Sequence, residues 1–291
     1  MSRSSLSYLG PYRLLNVVHT GHSSQIWQAY HDGQQRMYGV KTLNDRFKRD
    51  REQIGYLKLE HTVGRTVVHP RILEIIAFDV DRGSPYLAME WYAAPNMKQR
   101  IQQGVEKIAH LLPQVIERCA EALAHFNKQG WVHRDIKPDN FLVADDGEIK
   151  LIDFALALRI RRGLAKLFAR RSKVQGTRSY ISPEQIRGEV LDQRADVYSF
   201  GCTVYELLSG RPPFTGASAQ DLLNKHLRSA PPALEAAGAG VTPEFSQLVR
   251  RAMAKDPKAR PQTMEEFGRE LRAAAVFRVA PRPPADAPRK P

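Results

Sequence analysis

Ten residues, Trp131 to Asn140, read W-V-H-R-D-I-K-P-D-N and crowd charged side chains between two strongly apolar segments. Upstream, Ile108, Leu111, Leu112, Val115, Ile116, Cys119, Leu123 and Phe126 recur at helical spacing, so the pattern predicts a buried amphipathic helix that ends at Gly130. Downstream, Phe141 to Val143 is a short apolar run, Asp145 to Gly147 is a turn, and Ile149, Leu151 and Ile152 resume the apolar run, which predicts a hairpin. A helix on one side and a hairpin on the other would hold Asp135, Lys137 and Asn140 at a fixed mutual spacing, as a scaffold does for catalytic groups on a loop. Taken alone, the stretch could also be a polar loop whose Asp and Asn cap turns.

His133-Arg134-Asp135-Ile136-Lys137-Pro138-Asp139-Asn140 resembles the catalytic loop of eukaryotic-type (Hanks-type) protein kinases, in a style close to the bacterial ones. The lysine two residues after the aspartate is similar to the serine/threonine branch. The resemblance implies that Asp135 orients a substrate hydroxyl and accepts its proton, that Lys137 neutralises the transferred phosphoryl group, and that Asn140 ligates magnesium.

The same resemblance extends in both directions. Tyr12 to Val18 and Gln25 to Tyr30 read as strands around the turn H-T-G-H-S-S, a hairpin similar to the kinase glycine-rich loop with Gly21 at its centre. His19 and Ser24 stand where the outer two glycines are usual, and Val18, Gly21 and Ile26 would contact ATP. M-Y-G-V-K-T-L places Lys41 among apolar neighbours, where an ammonium needs a partner. By resemblance Lys41 binds the α- and β-phosphates and pairs with Glu60 on a helix read over Asn44 to Val67, with Glu52 as the competing glutamate. Gly64 falls where the family packs a bulky apolar residue, which predicts a loosely held helix. Two further strands, Ile72 to Asp79 and Tyr86 to Glu90, would complete a five-stranded sheet. Y-L-A-M-E-W-Y resembles the hinge, with Met89 gating the adenine pocket, Gly39 roofing it, and the backbone of Glu90 and Tyr92 bonding the base.

Asp153-Phe154-Ala155 ends the hairpin eighteen positions after Asp135 and resembles the D-F-G motif with alanine for glycine. Asp153 would hold magnesium across the β- and γ-phosphates, and Ala155 would narrow the conformations open to this turn. The basic stretch from Leu156 to Arg178 reads as an activation segment in which phosphate on Ser172 could pair with Arg134. Thr177, in G-T-R-S-Y-I-S-P-E, would bond Asp135 and Lys137; Glu184 would pair with Arg260; Asp196 would cap the backbone of the loop that holds His133 and Arg134. Helices are expected over roughly 95–103, 217–228, 243–254 and 263–275.

The expected fold is therefore α+β and bilobal: a small antiparallel β-sheet lobe with one C-helix over 9–90, a larger helical lobe over 91–276, a flexible 1–8 and a Pro-rich basic tail over 277–291 that cannot fold alone. Hydrophobic residues at 42% suffice for a core of this size. Cys119 and Cys202 lie in apolar helical patterns, so buried thiols are expected rather than a disulfide or metal site. No run approaches the roughly 20 apolar residues of a membrane span, and no secretory h-region opens the chain, so cytoplasm is the expected compartment. The net charge of +13 concentrates in 159–178 and in the tail, unlike the spread basic face of a nucleic-acid binder, so none is expected as a partner. The reading is a serine/threonine kinase using ATP with Mg²⁺ or Mn²⁺ on protein substrates, self-associating for autophosphorylation. The alternative is a pseudokinase that binds nucleotide or scaffolds, motivated by His19, Ser24, Gly64 and Ala155. A small-molecule kinase is disfavoured by Thr177, the S-P-E stretch and Asp196.

Overall fold

A computed structural model describes residues 8–160, 175–237 and 240–283. The chain divides into two compact units, one of residues 1–93 with 153–156 and one of 94–152 with 157–291.

The first unit is built on an antiparallel sheet of β1 (Tyr8–Leu9), β2 (Tyr12–Thr20), β3 (Ser24–His31), β4 (Arg36–Leu43), β5 (Ile75–Asp81) and β6 (Ser84–Glu90), in the order β1-β2-β3-β4-β6-β5. The sheet has six strands, not the expected five, because Tyr8 and Leu9 pair with Arg13 and Tyr12. Tyr8, read as part of a flexible end, is thus the first strand residue, held by its hydroxyl on Asp32 at 2.8 Å. One face carries Tyr12, Tyr38 and Tyr86 in edge-to-face contact over Ala29, Val40 and Ala88, an arrangement that period-2 alternation produces directly.

The helix read over Asn44 to Val67 is shorter. A single 3₁₀ turn covers Asp45–Phe47, and α1 (Arg51–Gly64) begins where the Asp50 carboxylate accepts from the Glu52 and Gln53 amides, an N-cap that fixes the start. Gly64 does not leave α1 loosely held. A Cβ there would lie 2.3 Å from Ile75 Cγ1, so the missing side chain lets β5 press its isoleucine onto the helix backbone. Ile75 fills the space the sequence left vacant.

The second unit holds α2 (Met97–Gln103), α3 (Leu112–Lys128), β7 (Trp131–Val132), β8 (Phe141–Val143), β9 (Ile149–Leu151), β10 (Leu158–Arg159), α4 (Pro183–Ile186), α5 (Arg194–Ser209), α6 (Ala219–Arg228), α7 (Pro243–Ala252) and α8 (Met264–Ala273). α3 buries Val115, Ile116, Cys119, Leu123 and Phe126 along one stripe and ends at Lys128 with Gln129 as its cap; Gly130 follows, with a φ of 85° that only glycine adopts readily. Phe141 pairs with Leu151 in the β8–β9 hairpin. Every residue of α5 from Ala195 to Leu208 is buried, so this helix is the core around which the others pack. Cys119 and Cys202 are buried and unpaired. The start of the expected loose tail is docked: Phe277 bridges to Val241 and the Arg278 amide donates to Gly240.

Candidate active site

In the first unit, β4 delivers Lys41 to two carboxylates. Its ammonium lies 2.8 Å from Glu60 on α1 and 3.4 Å from Asp153. Glu60 is 2% exposed, and it takes the lysine in place of the competing Glu52, whose oxygen accepts from Tyr56 on the surface. Burial opposes the charge on Lys41, but the Asp153 and Glu60 carboxylates more than offset it and hold the ammonium well above the usual lysine range. Asp153 has φ 65°, a left-handed conformation that aspartate tolerates, while Ala155 is absent from the positive-φ residues. The strain of the turn therefore sits on the aspartate, and alanine at 155 carries none. Phe154 is fully buried and its backbone bonds Glu60.

The β2–β3 turn is closed by the Gly21 amide on the Ser24 carbonyl at 2.8 Å, and Asn44 Nδ2 donates to the Gly21 and His22 carbonyls. Gly21 has no positive φ, so the turn forms without the outer glycines because Asn44 holds it from outside. Ile26 is the register partner of both His19 and Lys41, and Val18 is exposed on β2. Gly39 opposes Met89 across β4 and β6, and a Cβ on Gly39 would come 2.9 Å from Met89 Cγ; the methionine lies over the glycine. The Glu90 amide donates to Glu74 at 3.0 Å, so Glu90 can meet a base edge only through its carbonyl. Tyr92 follows β6, half-buried.

In the second unit, the 131–140 loop gathers around Asp135, which is 9% exposed. Its Oδ1 accepts from the Thr177 amide at 2.8 Å and hydroxyl at 2.9 Å; Oδ2 accepts from Lys137 at 2.6 Å and Asn140 Nδ2 at 3.3 Å. Lys137 also donates to Thr177 Oγ1 at 2.9 Å. The Asn140 amide nitrogen is engaged by Asp135, whose carbonyl it reaches at 2.7 Å, leaving Asn140 Oδ1 as the end that could face a cation.

Beneath them Asp196, at the start of α5, accepts from the His133 amide at 2.9 Å and the Arg134 amide at 3.0 Å, with Asn127 Nδ2 at 2.7 Å. Burial pushes its carboxyl up while those donors pull it down. The three bonds let Arg134 hold φ 71°. Arg134 donates to Gln175, His133 packs against Phe126, and the Arg260 guanidinium grips Glu184 with two bonds of 2.7 and 2.9 Å. Ser172 lies outside the described residues.

Three polar residues escaped the sequence reading. Asn127 orients Asp196, Gln185 donates to the Arg134 carbonyl at 2.9 Å, and Asn44 holds the β2–β3 turn. Only Asn127 left a signal: it follows Leu123 and Phe126 on the buried stripe of α3, where an apolar residue is expected.

Among the described residues no three or more His, Cys, Asp or Glu side chains cluster as a self-sufficient metal site.

The protein kinase domain model matches residues 12–270. The chain is 31% identical over 278 residues to the serine/threonine-protein kinase PknL of Mycobacterium tuberculosis, covering 96% of this chain and 69% of that one. It is 31% identical to a probable serine/threonine-protein kinase of Streptomyces coelicolor and 29% to PrkC of Bacillus subtilis, in each case over 91% of this chain and 40% of the relative. Against those two the chain spans well under half the relative's length. With the Lys41–Glu60–Asp153 cluster and the Asp135–Lys137–Thr177 cluster both built from the matched residues, the chain belongs to the protein kinase domain family.

Proposed function

We propose that this chain is a serine/threonine protein kinase that transfers the γ-phosphoryl of Mg-ATP to protein hydroxyls. The observation that carries the reading is the set of bonds on Asp135. Thr177 and Asn140 fix the carboxylate and Lys137 lies 2.6 Å from it, so a base and a cation are pre-positioned at one point. In the first unit the Lys41 ammonium would take phosphate oxygens and the Asp153 carboxylate a hard cation; in the second, the free end of the Asn140 amide is the oxygen the resemblance assigns to a cation. Bound magnesium would neutralise charge on the β- and γ-phosphates. Glu60 positions Lys41; Asp135 orients the acceptor hydroxyl and takes its proton; Lys137 stabilises the charge on the moving phosphoryl group; Thr177 shapes the place of the acceptor. Val18, Ile26, Gly39 and Met89 would bound the base, and the backbone of Glu90 and Tyr92 would bond it. Phosphate on Ser172, supplied by a second copy of the chain, is the reading we attach to the basic segment. No helix among the described residues is long and apolar enough to cross a membrane, and we assign the activity to the cytoplasm.

Every side chain that the transfer requires is present, which favours an enzyme over a nucleotide-binding scaffold. The test is transfer from labelled ATP and Mg²⁺ to the protein itself and to a generic basic protein, beside Asp135→Asn. Label in the wild type and its loss in the variant are expected; equal labelling of both overturns the reading.

A further inference from the structure

Asn44 stands directly before the 3₁₀ turn Asp45–Phe47, at the position where an asparagine side chain ordinarily accepts from the amides that such a turn leaves open. Here the cap bond does not form, and Asn44 Oδ1 is buried with no hydrogen-bond partner among the described residues. The donor end is engaged elsewhere. Nδ2 reaches across to the β2–β3 turn, 3.3 Å from the Gly21 carbonyl and 3.0 Å from the His22 carbonyl. A buried acceptor left open is destabilising, so the pose of this side chain is explained by its donor end and not by capping.

The neighbours of Asn44 pull in the same direction. Its own backbone amide donates to the Ser23 carbonyl at 2.9 Å, Arg46 Nη2 donates to the His22 carbonyl at 3.2 Å, and the Phe47 and His22 ring centroids are 5.4 Å apart. Three successive carbonyls, those of Gly21, His22 and Ser23, are thus drawn to one side of the turn. None of these peptides is cis, and in a trans peptide the amide points opposite to the carbonyl. The amides of His22, Ser23 and Ser24 therefore face away from Asn44, and those of His22 and Ser23 meet no partner among the described residues. Successive amides aimed in one direction form a concavity for an anion. With His19 and Ser24 in place of the outer glycines, the chain lacks the backbone freedom that would let a ligand mould this turn, and the shape is imposed from outside.

We propose that Asn44, assisted by Arg46, is a positioning residue for ATP: it holds the carbonyls of the β2–β3 turn on one side so that the amides of His22, Ser23 and Ser24 are ready for phosphate oxygens. The inference rests on the kinase reading and deepens it. In this assignment neither side chain touches the nucleotide; each acts through the turn that it holds. A merely structural role would stabilise the sheet and would affect a nucleotide and its phosphate-free nucleoside alike.

The experiment measures the binding of Mg-ATP and of adenosine, which keeps the base and sugar but has no phosphate, to the wild type and to Asn44→Ala. The Kd for ATP should rise about tenfold on loss of the two Nδ2 bonds, while that for adenosine stays within about twofold. In steady-state kinetics the KM for ATP should rise in step, and the KM for the protein acceptor should not move. Asn44→Asp keeps the outline of the side chain but has no donor, so it should weaken ATP at least as much as Asn44→Ala. An Asn44→Asp protein that binds ATP like the wild type overturns the proposal, as does an equal loss of ATP and adenosine binding in Asn44→Ala. Should neither variant fold, Arg46→Met decides, because Arg46 is exposed and methionine keeps a stem over Phe47. A rise of about twofold to threefold in the Kd for ATP with adenosine unmoved is expected there, and unchanged ATP binding overturns the proposal. A wild type that binds no ATP fails the kinase reading itself; a wild type that binds ATP no better than its Asn44→Ala variant fails only this inference.

Discussion

At Lys41 the balance of forces is visible in one side chain. Desolvation alone would push a buried lysine toward neutrality, but two carboxylates within 3.4 Å reverse the sign, so the ammonium stays charged throughout the working pH range. Glu60→Gln keeps the shape of the contact and removes one of the two carboxylates. Steady-state kinetics should show kcat/KM for ATP lower by about 10²-fold, the size of effect seen when one preorganised electrostatic partner is removed. Unchanged kinetics would reduce Glu60 to a structural ion pair. Lys41 was legible in the sequence because a lysine in an apolar strand is an anomaly that calls for a partner. Asn44 was not, because an asparagine after a strand looks like an ordinary turn residue, and its bonds to Gly21 and His22 depend on a hairpin more than twenty residues away. Ala155 shows the limit of motif comparison: alanine for glycine looks costly until φ assigns the left-handed conformation to Asp153.

α1 makes the corresponding point for elements. The sequence placed a helix there and chose Glu60, yet it read Gly64 as a defect, since the partner that fills the gap, Ile75, is on a strand whose start was put three residues too early. Once Ile75 Cγ1 lies 2.3 Å from the position of a Gly64 Cβ, the glycine becomes the reason that α1 can approach β5 at all. Gly64 is one helical turn beyond Glu60, so any displacement of α1 here moves the carboxylate away from Lys41. Gly64→Leu should therefore cost roughly 1–3 kcal/mol in urea unfolding through overpacking. It should also raise the KM for ATP in the protein that remains folded. Gly64→Leu with Ile75→Ala, which moves the bulk from strand to helix, should recover much of both. If the double variant is no better than the single one, the contact with Ile75 is not what positions α1.

Across the whole molecule, the order of motifs was readable because each needs a few residue types at short spacing. The bonds that tie distant segments were readable only where a motif named both ends, as for Glu184 and Arg260; Lys98 and Glu206, 108 positions apart, each look unremarkable alone. Among such long-range contacts is one from which acid sensitivity of the second unit is expected. His226, on α6, is fully buried against Phe214 and Tyr198, with Nδ1 2.9 Å from the Tyr198 hydroxyl. Lys255 donates to that same hydroxyl at 3.2 Å, which leaves the phenol hydrogen for His226, and burial, with the Lys255 charge added, pushes the imidazole down to about 4. Lys255 is itself pushed down to about 8, chiefly by burial, and is still largely charged below neutrality. A histidine with a folded-state pKa below its unfolded value of 6.5 stabilises the protein above pH 6.5. That contribution shrinks as the pH falls, and it is gone below about 4. The shift corresponds to about 2 kcal/mol lost between pH 7 and pH 4.5. Urea unfolding of the wild type and of His226→Gln, whose amide oxygen can still accept from Tyr198, should show the wild type losing that much more stability than the variant over the interval. Parallel acid limbs for the two proteins would place the acid sensitivity elsewhere in the fold.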